Sequence, residues 1–323
     1  MRHCEILLPF GLPPPELAAD LLRSLQAPAL AALLGKAAAP AVESFDPFAR
    51  SLPHENWLAE RMGLPSAAMS SPPMAAPHML ELGQTADEGH WFLLHPVHIH
   101  IARDHLVLTD RRRLPLAEVE SRALFDMAKP AFEAAGKPLL YGNAGTWLVR
   151  ADDWRGLQTA SPDAACGHNV DIWMPKGPGE REWRKLQNEV QMEWHDNRIN
   201  QEREARREQP VNSLWIWGGA AFPIDAKPPA LHEGGFDTTK EEAFALLDDL
   251  SEPALAEDWG LWLERVQALE AAWFTPLLAA LKGGKLERAT LYLTHAGELR
   301  TFIITKSSLL KFWARPNLAR LTS

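Results

Sequence analysis

The chain has 323 residues, of which 46% are hydrophobic, and its formal net charge at pH 7 is −9. A chain of this length and apolar content buries a substantial core, and its acidic balance argues against a nucleic-acid-binding protein. Only two cysteines are present, Cys4 and Cys166, which excludes a disulfide framework and favours a reducing, cytoplasmic location. We expect a single large globular domain spanning residues 1–323.

The amino-terminal part of the chain alternates strand and helix patterns. The apolar segment CEILLPFGL predicts a buried strand, and helices are predicted at Pro15–Leu25 and Pro28–Leu34. The apolar stretch before Pro9 is too short for a signal peptide, and no later segment is long enough to span a bilayer, so we expect no membrane association. Residues 66–78, SAAMSSPPMAAPH, are rich in Ser, Ala and Pro and form the best candidate for an irregular linker.

Residues 95–110, HPVHIHIARDHLVLTD, predict a β-hairpin because apolar and polar residues alternate on both sides of Arg103-Asp104. A two-residue turn there places Ala102 opposite His105. One face is then apolar and the other carries three histidines. The apolar set is Val97, Ile99, Ile101, Leu106 and Leu108, and the histidines are His98, His100 and His105.

Three imidazoles on one hairpin face are a potential zinc site, because zinc takes three or four such ligands. An antiparallel hairpin, however, ordinarily leaves its polar face to solvent, and no second cluster with ligand spacing accompanies the histidines. We therefore expect no metal and no cofactor. We expect His98 instead to donate a hydrogen bond that orders the hairpin against the rest of the domain.

The remaining two thirds of the chain continue the mixture of helices and strands. Together these elements predict an α/β fold in which helices cover a mixed sheet, with the hairpin added to it. Helices are predicted at Pro115–Gly136, Gly179–Asp196 with an extension to Arg207, Thr239–Leu250, Glu257–Leu281 and a last turn at Leu309–Ala314. Strands are predicted at Pro138–Tyr141, Thr146–Val149, SLWIW (ended by Gly218-Gly219), Ala289–Leu293 and Leu299–Ile304. Thirteen tryptophans are expected mainly to pack in the core, with ligand stacking as the alternative.

The densest group of polar side chains lies between residues 188 and 219. On a helix, Asn188, Gln191 and His195 form one stripe beside Met192, and each buried amide there needs a partner. We predict that these three side chains meet Asn212 at the carboxyl end of the 213–217 strand, where open α/β sheets bind ligands. The stripe is either a satisfied polar network or a binding site. The full candidate set is Asn188, Glu189, Gln191, His195, Asn200, Arg203, Asn212, Trp215, Trp217, Gly218, Gly219 and His98.

Four segments carry a resemblance to a known family: HPVHIHIARDHLVLTD, GHNVDIWMPKG, LQNEVQMEWHDNRINQEREAR and VNSLWIWGG. In order, spacing and residue types they resemble the bacterial RpfE-type regulatory proteins, and the resemblance extends from the first strand to the final FWAR segment. Some members of that family are labelled phosphoglycerate mutases. The resemblance thus implies a degenerate core of the alkaline phosphatase and cofactor-independent phosphoglycerate mutase kind.

The mutase label also implies metal ligands that this sequence lacks. Enzymes of that kind resemble alkaline phosphatases, in which an Asp-Gly pair ends the first strand and Ser-Asp-His-Gly ends a late strand. Here Phe10 stands where the metal-binding aspartate belongs, and the late segment reads Thr294, His295, Ala296, Gly297. Neither Ser44 nor Ser51 has a visible partner that would activate it as a nucleophile.

Two hypotheses about function follow. The first is a noncatalytic regulatory or ligand-binding protein of the RpfE type, whose polar constellation recognises an unidentified small ligand or protein partner. The alternative is a phosphate-ester hydrolase or phosphoglycerate mutase-like enzyme with an altered site. Two-metal phosphoryl transfer needs both ions to clamp the attacking and leaving oxygens, so the lost ligands favour the first hypothesis.

Overall fold

The computed structural model describes residues 3–65, 69–84, 86–103, 105–223, 236 and 242–322. Its strands in chain order are β1 (His3–Leu8), β2 (Ala41–Ser44), β3 (Gly89–Val97), β4 (Ile99–Ala102), β5 (His105–Leu108), β6 (Leu139–Asn143), β7 (Thr146–Arg150), β8 (Ser213–Phe222), β9 (Glu242–Leu246), β10 (Arg288–His295) and β11 (Glu298–Thr305). Its helices are α1 (Ala18–Ser24), α2 (Pro28–Lys36), α3 (Pro53–Arg61), α4 (Ala75–Glu81), α5 (Glu118–Ala134), α6 (Pro162–Ala165), α7 (Val170–Trp173), α8 (Glu180–His195), α9 (Arg198–Ala205), α10 (Ser251–Leu255), α11 (Trp259–Leu269) and α12 (Thr275–Lys282).

The chain divides into two compact units. The terminal unit comprises Met1–Pro47 and Pro229–Ser323, and the central unit comprises Phe48–Pro228. Each unit has its own principal β-sheet with helices packed around it. The predicted α/β class with a mixed sheet and covering helices is confirmed.

The sheet of the terminal unit has five strands in the order β2-β11-β10-β1-β9. β1 pairs in parallel with both β10 and β9, while β11 runs antiparallel to β10 and β2. β1 has sheet neighbours on both sides, and the second half of the strand is a continuous apolar run in which Ile6, Leu7 and Leu8 are buried. The carboxylate of Glu270, in a π-helical turn between α11 and α12, accepts from the amides of Ala29 and Leu30 and so caps α2.

One predicted helix of this unit is wrong where the structure describes it. Residues 242–246, inside the predicted helix Thr239–Leu250, form β9 and pair with β1, whereas residues 239–241 lie outside the described residues. A short apolar run such as AFALL satisfies a helical and a strand pattern equally well. Pairing with β1, which no local pattern reveals, decides in favour of the strand.

The central unit contains a four-stranded antiparallel sheet in the order β6-β7-β3-β8. Aromatic side chains fill the space between this sheet and helices α5 and α8. The indole of Trp147 packs edge to face against Phe125 at 5.2 Å and against Trp194 at 5.9 Å between ring centroids. The prediction that tryptophans serve mainly as core is confirmed for this unit, since Trp147, Trp154, Trp183 and Trp194 are fully buried.

Strands β4 and β5 form the predicted hairpin, and the predicted pairing of Ala102 with His105 is confirmed. Asp104 of the turn lies outside the described residues. The predicted apolar face is buried only in part: Val97 and Leu108 are buried as expected, whereas Ile101 is 78% exposed and Val107 of the opposite face is buried. β4 and β5 form a separate two-stranded sheet, and β5 makes isolated bridges to residues near α7. These contacts, and not the alternation of apolar and polar residues, determine which side chains of the hairpin are buried.

Two element boundaries also differ from the predictions. β8 continues through Gly218-Gly219 to Phe222 instead of ending there, because the glycines fit closely against neighbouring side chains of the sheet. Residues 75–78 of the segment expected to be irregular begin α4, and residues 66–68 of that segment are outside the described residues. Among the described helices, none is both long and apolar enough to cross a membrane.

Candidate functional site

Helix α8 contacts the edge strand β8 through two glutamines. The side-chain amide of Gln191 donates to Ser213 Oγ at 2.9 Å. The amide of Gln187 donates to the same oxygen at 3.2 Å and to the carbonyl of Leu214 at 2.9 Å. The two side chains therefore attach α8 to the first two residues of the edge strand β8.

The predicted cluster of Asn188, Gln191, His195 and Asn212 does not form. Asn188 and His195 are exposed, as are Glu189 and Met192. The inward face of α8 is instead the stripe of Trp183, Leu186, Gln187, Val190 and Trp194. Burial of the apolar side chains sets the rotation of the helix about its axis. Gln187, which was not among the predicted site residues, lies on this buried stripe. The contact with Ser213 is also at the amino end of β8, not at its predicted carboxyl end.

Asn212 and His98 hold the hairpin β4–β5 in place. Asn212 Oδ1 accepts from the amide of Ile99, and its Nδ2 donates to the carbonyl of the same residue, both at 2.8 Å. His98 Nδ1 donates to the carbonyl of Pro210 at 2.8 Å. The prediction that His98 orders the hairpin through a hydrogen bond is confirmed, and Asn212 acts in the same way.

Asn200 and Arg203 on α9 close the loop that leads into β8. Asn200 donates to the carbonyls of Trp194 and Val211 and accepts from the amide of Val211. The fully buried Arg203 donates to three oxygens, the carbonyls of Gln209 and Pro115 and the carboxylate of Glu120. The bonds of Asn200 and of Arg203 Nε and Nη1 are all made to the chain itself, whereas Arg203 Nη2 is buried and has no hydrogen-bond partner among the described residues.

The candidate residues on β8 also pack against other parts of the central unit. Trp215 Nε1 donates to the carbonyl of Ala160 at 2.9 Å, and the Trp217 ring lies 6.0 Å from the imidazole of His95. Gly218 has a φ of 70°, and its amide donates to Ser71 Oγ. A Cβ at Gly219 would overlap the ring of Phe92. Both glycines are therefore explained by close packing within the unit.

A small open cleft brings some of the predicted residues together. It has a volume of about 200 Å³ and combines amide, acidic and basic side chains with an apolar wall. This volume is below that of pockets for drug-sized molecules and fits a small polar ligand or one side chain of a partner. Its lining residues are Ile99, Leu106, Val170, Asp171, Met174, Arg184, Gln187, Asn188 and Gln191.

A second group of chemically capable residues joins α3 to α6. His54, Glu55 and Asp163 each place one potential metal-ligating atom within 4.8 Å of the others. Glu55 Oε2 accepts from the amide of Leu52 at 2.7 Å and from Ser161 Oγ at 2.6 Å. No sequence pattern predicts this group, because Asp163 is far from His54 and Glu55 along the chain and no ligand spacing connects them.

Burial dominates the electrostatics of this group. It raises the pKa of the Glu55 carboxyl to about 8, and the nearby charge of Asp163 adds to the effect. Burial likewise lowers the pKa of His54 to about 4. Asp163 is neutralised by Arg112, whose two terminal nitrogens lie at 3.0–3.1 Å from its oxygens. Near neutral pH, the unliganded group thus favours a neutral imidazole and a protonated Glu55.

Phe10 follows β1 in the terminal unit, at the position where the sequence resemblance implies a metal-binding aspartate. Phe10 is buried and has a φ of 53°, a conformation that non-glycine residues seldom adopt. Its amide donates to Thr294 Oγ1 at 3.2 Å, and its carbonyl accepts from Trp262 Nε1 at 2.9 Å. Backbone hydrogen bonds and a buried phenyl ring therefore fill this strand end.

Comparisons with known proteins show similarity at the level of the fold. No protein-family model and no curated protein sequence matches the chain. The PH0037 protein from Pyrococcus horikoshii has a similar structure, with a TM-score of 0.55 and 11% sequence identity over 99% of this chain and 91% of that one. A cofactor-independent phosphoglycerate mutase from Thermoplasma acidophilum gives a TM-score of 0.44 and 14% identity over 100% and 94% of the two chains. The chain shares its fold with PH0037.

Proposed function

We infer that this protein is a regulatory or ligand-binding protein of the RpfE type, built on a phosphoglycerate mutase-like fold whose metal-dependent chemistry has been lost. The observation that carries this inference is Phe10. The family resemblance places a metal-binding aspartate at that position, and a phenyl ring offers no lone pair to an ion. The turn is stabilised by the backbone bonds of Phe10 to Thr294 and Trp262.

The late motif supports the same inference. Thr294 uses its hydroxyl to accept from the Phe10 amide, and its side chain is buried. His295 is the remaining residue of that motif with a metal-ligating side chain, and burial lowers the pKa of its imidazole. One imidazole does not assemble the two-ion clamp that phosphoryl transfer of this type requires.

The cleft beside α8 is the proposed ligand site. Arg184 and Asp171 supply opposite charges, and Asn188 and Gln191 supply amide donors and acceptors. Such a lining suits a small molecule that carries both a charged group and hydrogen-bonding groups.

Activity assays test the loss of catalysis. We expect no turnover of 3-phosphoglycerate or p-nitrophenyl phosphate above the buffer rate when Mn²⁺, Mg²⁺ or Zn²⁺ is supplied. Metal-dependent turnover that stays with the protein through further purification steps would favour the alternative, a phosphate-ester enzyme with an altered site.

Ligand binding is tested separately by thermal unfolding in the presence of amino acids, nucleosides and sugar phosphates. A compound bound in the cleft should raise the melting temperature of the wild type, and this shift should disappear in Arg184→Ala and Asn188→Ala. Lys185→Ala is the matched control, because Lys185 is exposed on the same helix and does not line the cleft. If every stabilising compound acts equally on the three variants, the cleft is not the site.

A further inference from the structure

We propose that His54, Glu55 and Asp163 form a binding site for one divalent transition-metal ion in the central unit. The donors are one imidazole nitrogen and two carboxylate oxygens, all within 4.8 Å of one another. Ligands at about 2.0–2.3 Å from a shared ion lie at most about 4.6 Å apart. Small rotations of side chains already in place therefore bring the three atoms to ligand distances.

Neighbouring groups hold two of the ligands in position. Glu55 Oε2 is fixed by the amide of Leu52 and by the buried hydroxyl of Ser161. Asp163 is fixed by the forked guanidinium of Arg112, which bonds to both of its oxygens. Hydrogen bonds of this kind orient metal ligands in known sites and reduce the entropy lost when an ion binds.

The charge balance around the group is a second, independent argument. Asp110, also buried, lies 3.3 Å from Arg112, so this one guanidinium pairs with both Asp110 and Asp163. Asp110 Oδ2 has no hydrogen-bond partner among the residues that the structure describes. A buried carboxyl oxygen without a partner is costly, and a divalent cation would give these carboxyl groups a second positive partner beside Arg112 while displacing the proton that Glu55 carries in the unliganded group. The positive charge of Arg112 repels a bound cation and so limits the affinity for metal, but the carboxyl groups near the site still outnumber this single guanidinium.

The ligand types indicate which ion to expect. Magnesium and calcium prefer sites made of oxygen alone, whereas one imidazole with two carboxylates suits zinc, iron or manganese. Zinc binds nitrogen and oxygen ligands more tightly than manganese does. Asp163 keeps 13% of its side chain exposed, so a water molecule can reach the ion to complete its coordination.

This site is independent of the proposed function and differs from the sequence-based expectation of no metal. Its ligands come from α3 and α6 of the central unit, whereas the phosphatase-type ligands that Phe10 replaces belong to β1 and β10 of the terminal unit. A metal bound at His54 would therefore leave the inference drawn from Phe10 unchanged.

Calorimetric titration of the tag-free, chelator-treated full chain with Zn²⁺ tests the proposal. We expect one equivalent to bind and the melting temperature to rise. His54→Gln and Asp163→Asn should each weaken binding at least tenfold. Glu55→Gln should do the same while keeping an acceptor for Leu52 and Ser161, so it provides a folded variant if the others are unstable.

His100→Ala is the matched control for adventitious binding. His100 is exposed on β4, and its ring lies 6.1 Å from that of His98, which makes this pair the alternative imidazole site. The control should bind zinc as the wild type does. The proposal is overturned if the wild type binds no zinc, if Glu55→Gln binds it with unchanged affinity, or if His100→Ala removes the binding.

Discussion

The imidazole of His95 is buried on β3 beside Trp217, and its Nδ1 donates to the carbonyl of Gly145 at 2.7 Å. Burial, with a contribution from the charge of Arg111, lowers the pKa of His95 to about 3. The unfolded chain binds a proton at this residue near pH 6.5, whereas the folded chain does not until about pH 3. The stability that His95 contributes is therefore present above pH 6.5 and is lost as the pH falls toward 3.

We predict that His95→Asn makes the protein less sensitive to acid. Between pH 6.5 and 4.5, protonation of His95 in the unfolded state should lower the free energy of unfolding of the wild type by about 2 kcal/mol, and the variant should not show this part of the loss. Urea unfolding at the two pH values measures the difference. His195→Asn, at an exposed position of α8, is the control, and an equal pH dependence in all three proteins would contradict the prediction.

Arg203 provides a second prediction at the scale of single residues. Its fully buried guanidinium bonds to Glu120 and to the carbonyls of Pro115 and Gln209. Arg203→Met should lower the free energy of unfolding by about 2–4 kcal/mol, because it leaves the carbonyls of Pro115 and Gln209 without their donor and removes one partner of Glu120, which keeps its bond to Arg206. Chemical denaturation measures the loss.

Arg198→Met on the same helix is the matched control. Arg198 pairs with Glu202 in solvent, so its replacement should leave the free energy of unfolding nearly unchanged. Comparable losses in the two variants would mean that Arg203 has no special structural role.

At the scale of elements, the hairpin β4–β5 depends on Asn212. This side chain satisfies both the amide and the carbonyl of Ile99. Asn212→Ala should lower the free energy of unfolding by about 1–3 kcal/mol and should increase amide hydrogen exchange in β4 and β5 more than elsewhere. Asn188→Ala, at an exposed position, should change neither quantity. Unchanged exchange at Ile99 in Asn212→Ala would show that the hairpin is held by other contacts.

The elements differ in how much of them the sequence could predict. The pairing of Ala102 with His105 was predictable, because a two-residue turn and strict alternation are local signals. The buried face of the same hairpin was not, because contacts with distant residues near α7 determine it. β9 was mistaken for a helix for a related reason, since its pairing with β1 involves residues at the other end of the chain.

The candidate sites follow the same distinction. The existence of α8 was predictable from its periodicity, but the rotation of the helix about its axis was not. The prediction turned Asn188 and His195 inward, whereas Trp183, Val190 and Trp194 form the buried stripe. The group of His54, Glu55 and Asp163 was not predictable at all. It exists only because the tertiary fold brings α3 and α6 together.

At the scale of the whole molecule, the central unit is one continuous segment with its own sheet. We predict that a fragment of residues 48–228 folds by itself, because β3, β6, β7, β8, α5 and α8 all belong to it. Circular dichroism and dispersed amide NMR signals should show a cooperative, folded fragment with buried tryptophans. A fragment that stays unfolded would mean that the unit depends on the remainder of the chain.

The strand order of the terminal unit also affects biosynthesis. A ribosome makes β1 first, but both of its sheet neighbours, β9 and β10, come from the last third of the chain. During synthesis, the apolar segment of β1 therefore has no strand to pair with until the entire central unit has been translated. Molecular chaperones that shield exposed apolar segments are consequently expected to act on β1, because the terminal unit can complete its sheet only after the central unit has been translated.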